Sequence, residues 1–323
     1  MLIIEKIIAE NILRMHNQLI MCNKCSIIII ISIESFSDFA VIIYNEIVKL
    51  SHGHDRTDLV FDRYYPESLK ERTRNERGSG SFVFEGDDTV IPSIPSIPSN
   101  MKESNNKNQL NEYLAKKLIE VHQGPKLLIA TWKDTILCSF DSEPVNHSDV
   151  SITKCQSEEA DQRIIRHVLH IIGNYANYKR IVVNTIDMDV LILLISFIGR
   201  IDDIDPELDI FAYLINGRKY YNIRDIASNL GKDMCLALPF FYCLTGCDTV
   251  SSLTGKGKCK AWDAWFNSAK RDKFTNVFKE LGNQPMEITW RNISCTLSYR
   301  TFTTKKFSLL GQIFGTTVRR SFV

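Results

Sequence analysis

No stretch of this sequence approaches the roughly 18 uncharged apolar residues that a membrane-spanning helix needs. The Ile27–Ile31 run is too short for one and reads as a buried strand. Charge of one sign is also missing: the formal net charge is +1. No overall field draws the chain to nucleic acid or membrane, so any such attraction must come from local patches. Nine cysteines is an odd number, and they follow no regular spacing. That argues against a disulfide framework and fits a reducing compartment. Cys22-x-x-Cys25 is half a zinc site, but no second Cys/His pair at zinc spacing lies nearby, so ordinary thiols are the simpler account. Glu5 and Lys6 interrupt the apolar pattern at the N-terminus, against a signal peptide. There is no Walker glycine loop, no G-x-S-x-G elbow and no H-E-x-x-H helix, so those three chemistries have no support.

What is present centres on Lys179–Ile198, KRIVVNTIDMDVLILLISFI. Ile181-Val182-Val183 is a β-branched run that reads as a buried strand. Asp187-x-Asp189 follows, and Val190–Ile198 reads as a helix packed on the sheet. Two carboxylates therefore sit at the carboxyl end of a strand, where open α/β sheets bind ligands. Two acids so close repel each other unless a cation offsets them.

The remaining pattern alternates strands and helices. Met1–Ile20 has helical spacing at Ile3, Ile4, Ile7, Ile8, Ile12 and Leu13, and Ser26–Ile33 reads as the first strand. Phe36–Leu50 reads as a helix, and Asp58–Asp62 as a strand ending in an acid. The segment behind it carries Lys70, Arg72, Arg74 and Arg77. That pattern fits a solvated charged helix, and equally a basic segment that steers a phosphodiester backbone. Ile91–Asn108 contains IPSIPSIPS and an Asn/Ser/Lys tail, which read as an exposed insertion with nothing to bury. Gln109–Val121 reads as a helix. Lys126–Cys138 reads as a β-rich stretch turning at Lys133-Asp134, and Ser157 as the start of a helix with acids in its first turn. Asp209–Ile215 reads as a strand, and Ile223–Leu230 and Met234–Leu244 as helices. Gly255-Lys256-Gly257-Lys258 is a glycine turn before a helix holding Trp262 and Trp265, an arrangement that can approach a phosphate. Beyond about Asn267 no clear pattern remains.

Asp62, Glu159, Asp161, Asp187, Asp189 and Asp248 each lie at a strand end or a helix start beside an apolar segment. Carboxylate oxygens in such a group suit hard cations, Mg²⁺ or Mn²⁺. Two such ions can activate a water and stabilise the leaving oxygen of a phosphodiester. The position of the glutamate ligand stays open. On a regular helix Glu158 shares a face with Asp161, whereas Glu159 diverges from it by about 200°.

The motif order resembles the flap-endonuclease/XPG-type nucleases of the PIN-like superfamily. The motifs are VFDRY at Val60–Tyr64, EEADQR at Glu158–Arg163, TIDMD at Thr185–Asp189, TGCDT at Thr245–Thr249 and GKG at Gly255–Gly257. A closer resemblance is to a group of transposon-associated animal proteins carrying VFDRYYP, EEADTR, DTDVLVLL and TGCDTTSS. It covers roughly Phe36 to Trp265. The resemblance implies a mostly parallel central sheet with helices on both faces and a helix–hairpin–helix-like element. It also implies a nuclease-type domain over 36–270, with 91–108 inserted, an atypical segment over 1–35 and a C-terminal extension over 271–323. The implied metal ligands are the six acids, in the register that selects Glu159. Gly255, Lys256, Gly257 and Lys258 would meet nucleic-acid backbone, DNA ahead of RNA, in a nuclear setting. The family also has an aspartate at the end of its first strand, where this chain reads Ile33-Glu34-Ser35.

Overall fold

The computed structural model describes residues 2–6, 35–64, 104–123, 125–140, 143–145, 155, 160–174, 177–185, 187–201, 204–214, 219–246 and 257–282. The chain divides into two compact units, Met1–Val190 with Ile204–Asn222, and Leu191–Asp203 with Ile223–Val323.

The first unit is built on one mixed eight-stranded sheet. Its strands are β1 (Leu2–Lys6), β2 (Arg56–Val60), β3 (Leu127–Trp132), β4 (Thr135–Phe140), β5 (Glu143–Val145), β6 (Arg180–Thr185), β7 (Asp209–Leu214) and β8 (Lys219–Asn222). They lie in the order β5-β4-β3-β2-β1-β6-β7-β8. The five central strands, β3 through β7 across the sheet, are parallel, and β4, β5 and β8 extend it antiparallel. The chemistry of β2 and β6 explains their central place. All five residues of β2 are buried, and so are all of β6 except its first. Strands buried on both faces belong in the middle of a parallel sheet.

Sequence spacing predicts a helix over Met1–Ile20, but residues 2–6 form β1, paired with β2 on one side and β6 on the other. Ile3 and Ile4 are β-branched and suit a strand. Two partner strands outweigh a helical periodicity that is weak over five residues. The predicted strand at Ser26–Ile33 lies outside the described residues.

Helices cover both faces. On one, α1 (Phe36–Leu50) and α2 (Ser104–Glu120) pack Phe39, Ile43, Leu114 and Leu118 against Leu59, Phe61 and Leu128. Each such fully buried side chain contributes about 1.5–3 kcal/mol. α1 starts with a capping box, in which Ser35 Oγ accepts from the Asp38 amide at 3.2 Å and Asp38 accepts from the Ser35 amide at 3.0 Å. α2 starts at Ser104, so the last residues of the predicted insertion are helical.

The other face carries α3 (Ala160–Asn174) over a buried ionic network. Arg56 grips Asp58 with two hydrogen bonds of 2.7 Å, and His167 of α3 reaches the same carboxylate at 2.7 Å. The Nε2 of His167 faces the Thr131 hydroxyl at 3.2 Å. Arg56, Asp58 and His167 are all 0% exposed. Burial alone would push the Asp58 carboxyl up, but Arg56 and then His167 outweigh it and hold it at about 2. Burial pushes His167 down, against the pull of Asp58. The imidazole is therefore neutral, donating from Nδ1 to Asp58.

The second unit is helical: part of α4 (Met188–Ile198), then α5 (Ile223–Leu230), α6 (Lys232–Leu244), α7 (Lys258–Phe266) and α8 (Arg271–Gly282). Its core is aromatic. Phe241 and Trp265 stand 4.8 Å apart, Trp265 meets Phe278 edge-on at 5.1 Å, and the Trp265 indole donates to Thr275 at 3.1 Å. Gly199 is a point of close approach, since a Cβ there would lie 2.5 Å from Cys235 Cβ.

Two outcomes follow from the network. Asp58→Ala strands a buried guanidinium, and urea unfolding should show a loss of about 3–5 kcal/mol. Acid should also weaken the fold in two stages. His167 has a depressed folded pKa, so its contribution is complete above the ordinary 6.5 and erodes as pH falls below it. Asp58 contributes fully above its ordinary 3.8 and is lost as pH falls toward about 2, worth about 2 kcal/mol. The urea midpoint followed from pH 7.5 to pH 2 checks both, and His167→Gln should flatten the first stage.

Candidate active site

The carboxyl ends of the parallel strands form one edge of the sheet. Numbered in chain order, the parallel core reads 3-2-1-4-5, so connections leave β1 and β6 in opposite directions. That switch point is where open α/β sheets bind ligands.

Asp62 lies just past β2 at this edge, and its position is heavily determined. Its Oδ1 accepts from the Ala160 amide at 2.8 Å, at the first residue of α3. Its Oδ2 accepts from the Tyr64 hydroxyl at 3.2 Å. Its backbone carbonyl accepts from Asn111 at 3.1 Å, and Asn108 brackets Tyr64 by bonding both its amide and its carbonyl. The loop carrying Asp62 is thus tied to α2, while its carboxylate is tied to α3. Asp161, the second residue of α3, is buried at 5% exposure, so the structure brings Asp62 and Asp161 to one helix start.

Asp187 precedes α4 and Asp189 lies in its first turn. Thr185, the last residue of β6, accepts the Asp187 amide on its hydroxyl at 3.0 Å. Register relates this pair to Asp62. Lys6 pairs with Val60, and Glu5 pairs with Asn184, so the strand ends that lead into Asp62 and Asp187 lie at the same level on either side of β1. Two strand spacings separate them, about 10 Å of backbone. Both helix starts complement the acids beside them through the helix dipole. Among the described residues, no group of three or more His, Cys, Asp and Glu side chains stands close enough to hold a metal ion.

Glu158, Glu159, Asp248, Gly255, Lys256, Lys70, Arg72, Arg74, Arg77 and Glu34 lie outside the described residues. In the second unit, Gly257 and Lys258 are described. Gly257 precedes α7 with φ −68°, a backbone any residue adopts, and nothing lies within 4 Å of a Cβ built there. The Lys258 ammonium donates to the carbonyls of Tyr242, at 3.1 Å, and of Gly246, and lies 3.9 Å over the Tyr242 ring. It thereby closes the C-terminal end of α6, where a cation complements the dipole.

Sequence reasoning missed the parts that hold the site. Asn108 stood in the polar tail and Asn111 near the start of the predicted helix Gln109–Val121, and no pattern marked either. Arg163, within the EEADQR motif, is buried and donates to the Lys133 carbonyl in the β3–β4 turn. Asp58, His167 and Thr131 also follow the acid–imidazole–hydroxyl order of a nucleophilic triad, but all three are closed to solvent and serve the fold. An arginine and an aspartate alternating in a buried strand, R-T-D-L-V, were the available signal.

No protein-family model, curated protein or solved structure matches the chain.

Asp62→Ala removes the acceptor for the first amide of α3 and should cost about 1 kcal/mol by urea unfolding. Lys258→Met leaves the end of α6 open and should cost about 1–2 kcal/mol by the same measurement.

Proposed function

We propose that the chain is a divalent-metal-dependent nuclease of the flap-endonuclease/XPG type, with a PIN-like fold, hydrolysing phosphodiester bonds of branched or single-stranded DNA. One observation carries this reading: acids from separate chain segments meet the same sheet edge at the topological switch point. Asp62 and Asp161 lie on one side of β1, and Asp187 and Asp189 on the other.

The acids named at that edge offer carboxylate oxygens alone, a donor type that suits Mg²⁺ or Mn²⁺. Such ions, when bound, supply an activated water and charge stabilisation at phosphorus. The residues do the rest. Asp187 and Asp189 present carboxylates from a rigid helix start. Asp62 is oriented by the Ala160 amide and the Tyr64 hydroxyl, and lone pairs remain on both its oxygens. The motif resemblance adds Glu159, and gives the steering of the strand to Lys70, Arg72, Arg74 and Arg77. The preference for DNA and the nuclear setting also rest on that resemblance.

A second reading is a descendant that binds nucleic acid or protein without cleaving. The end of β1 favours it. That strand closes on Glu5-Lys6 between the two acid pairs, where the resemblance calls for an aspartate.

Purified protein should cleave flap or single-stranded DNA with Mg²⁺ or Mn²⁺ and stop in EDTA. Asp187→Asn and Asp189→Asn should each lower the rate by about a hundredfold or more, the scale of losing several kcal/mol of transition-state stabilisation. A salt-sensitive DNA shift with no metal-dependent turnover selects the second reading. Cleavage indifferent to EDTA defeats the first.

A further inference from the structure

Away from the acidic edge, the first unit has a cavity of about 320 Å³ on the sheet face that also carries α1. That volume is within the range of small-ligand sites. Its floor is Asn184 of β6 and Phe211 of β7, and the end of the α1–β2 connection contributes His54. Tyr213 and Tyr220 form an aromatic wall from the β7–β8 pair, with ring centroids 4.5 Å apart. Arg180 stands at the start of β6, with its guanidinium carbon 5.5 Å over the Phe211 ring.

We propose that this cavity binds one nucleotide unit, with the base on the tyrosine wall and the phosphate at Arg180. The chemistry is specific in two respects. Tyrosine faces stack any base, and Tyr220 is 64% exposed, so its ring is open to a partner. Among the described residues, the Arg180 guanidinium pairs with the carboxylate of Asp209, at 3.0 Å, in a pair about half exposed on each side. Such a pair contributes little, so a phosphate can take the guanidinium in a two-pronged contact. Arg180 and Asn184 are four residues apart, about 13 Å along the strand, which separates a charged end from a stacking end. A cavity this small does not suit a folded protein partner, whose interface would need roughly 800 Å² on each side.

The proposal does not need the acid cluster, and its test runs without metal. The full chain, in EDTA and low salt, is titrated into a fluorescein-labelled twelve-residue oligo(dT) and read by fluorescence polarisation. Thymidine monophosphate serves as an unlabelled competitor. The expected result is saturable binding that Tyr220→Ala weakens about tenfold to a hundredfold, the range that base stacking on an aromatic ring carries. Tyr220→Phe should retain it within about twofold, and Arg180→Gln should weaken it and flatten its salt dependence. Both positions are exposed, so neither variant threatens the fold. If the monophosphate competes with an affinity close to that of the strand, the ligand is a free nucleotide. If the strand binds at least about tenfold tighter, the cavity holds one unit of a single strand. Either supports the proposal. It is overturned if neither probe binds, as when a polypeptide segment fills the cavity, or if Tyr220→Ala binds the strand as well as the unaltered chain does.

Discussion

The position of α3 depends on a carboxylate sealed inside the protein. Asp58 takes two bonds from Arg56 and one from His167, and His167 belongs to the helix. Seven residues earlier in that helix, the Ala160 amide bonds Asp62, four residues after Asp58 and just past the end of β2. Seven helical residues rise about 10 Å and four strand residues span about 13 Å. The two attachments therefore lie nearly the same distance apart on helix and strand, and α3 runs back along β2 against its direction. An apolar contact would leave the helix free to slide by a turn. A paired, buried charge has no second position in which its partners are satisfied. The ionic network in the middle of β2 thus sets where the acidic start of α3 meets the sheet edge.

The acids at that edge combine two roles that a sequence cannot separate. Asp161 and Asp189 are where the helix dipole favours negative charge, and Asp62 bonds the first amide of α3. Each of these effects stabilises a carboxylate by a few tenths of a kcal/mol to about 1 kcal/mol, with no cation involved. Helix-cap chemistry therefore accounts for each acid singly. It does not account for two capped helix starts reaching the same level on either side of β1. Nothing about capping α3 requires that α4 begin at the same edge.

How much could be read in advance varied with the width of the apolar signal. Phe36–Leu50 was legible to the residue, because six buried side chains mark its inner face. The β3–β4 hairpin was legible from its turn, where Lys133 adopts φ 50°. By contrast, α8 buries only Phe274, Thr275 and Phe278, a stripe too thin to stand out from its charged neighbours. The first turns of α2 were illegible for a different reason. Asn106 is buried and Asn108 bonds Tyr64, so polar side chains hold that end where apolar periodicity would normally mark it. For the site, the acids could be found from their places at strand ends. The asparagines that hold the Asp62 loop could not, since their partners are distant in sequence.

The dipoles at the edge also bear on how a metal would act there. If cation binding were the only compensation for the clustered acids, folding and metal binding would be one equilibrium, as in small metal-stapled domains. Here two helix starts, the Tyr64 hydroxyl and the amide of Ala160 already offset part of the charge. The core of the first unit, and the Arg56–Asp58–His167 network, lie behind the edge and contain none of its acids. The scaffold can therefore keep its form with the edge empty. That separation leaves the bulk of the fold's stability independent of whether the proposed cation binds at this edge.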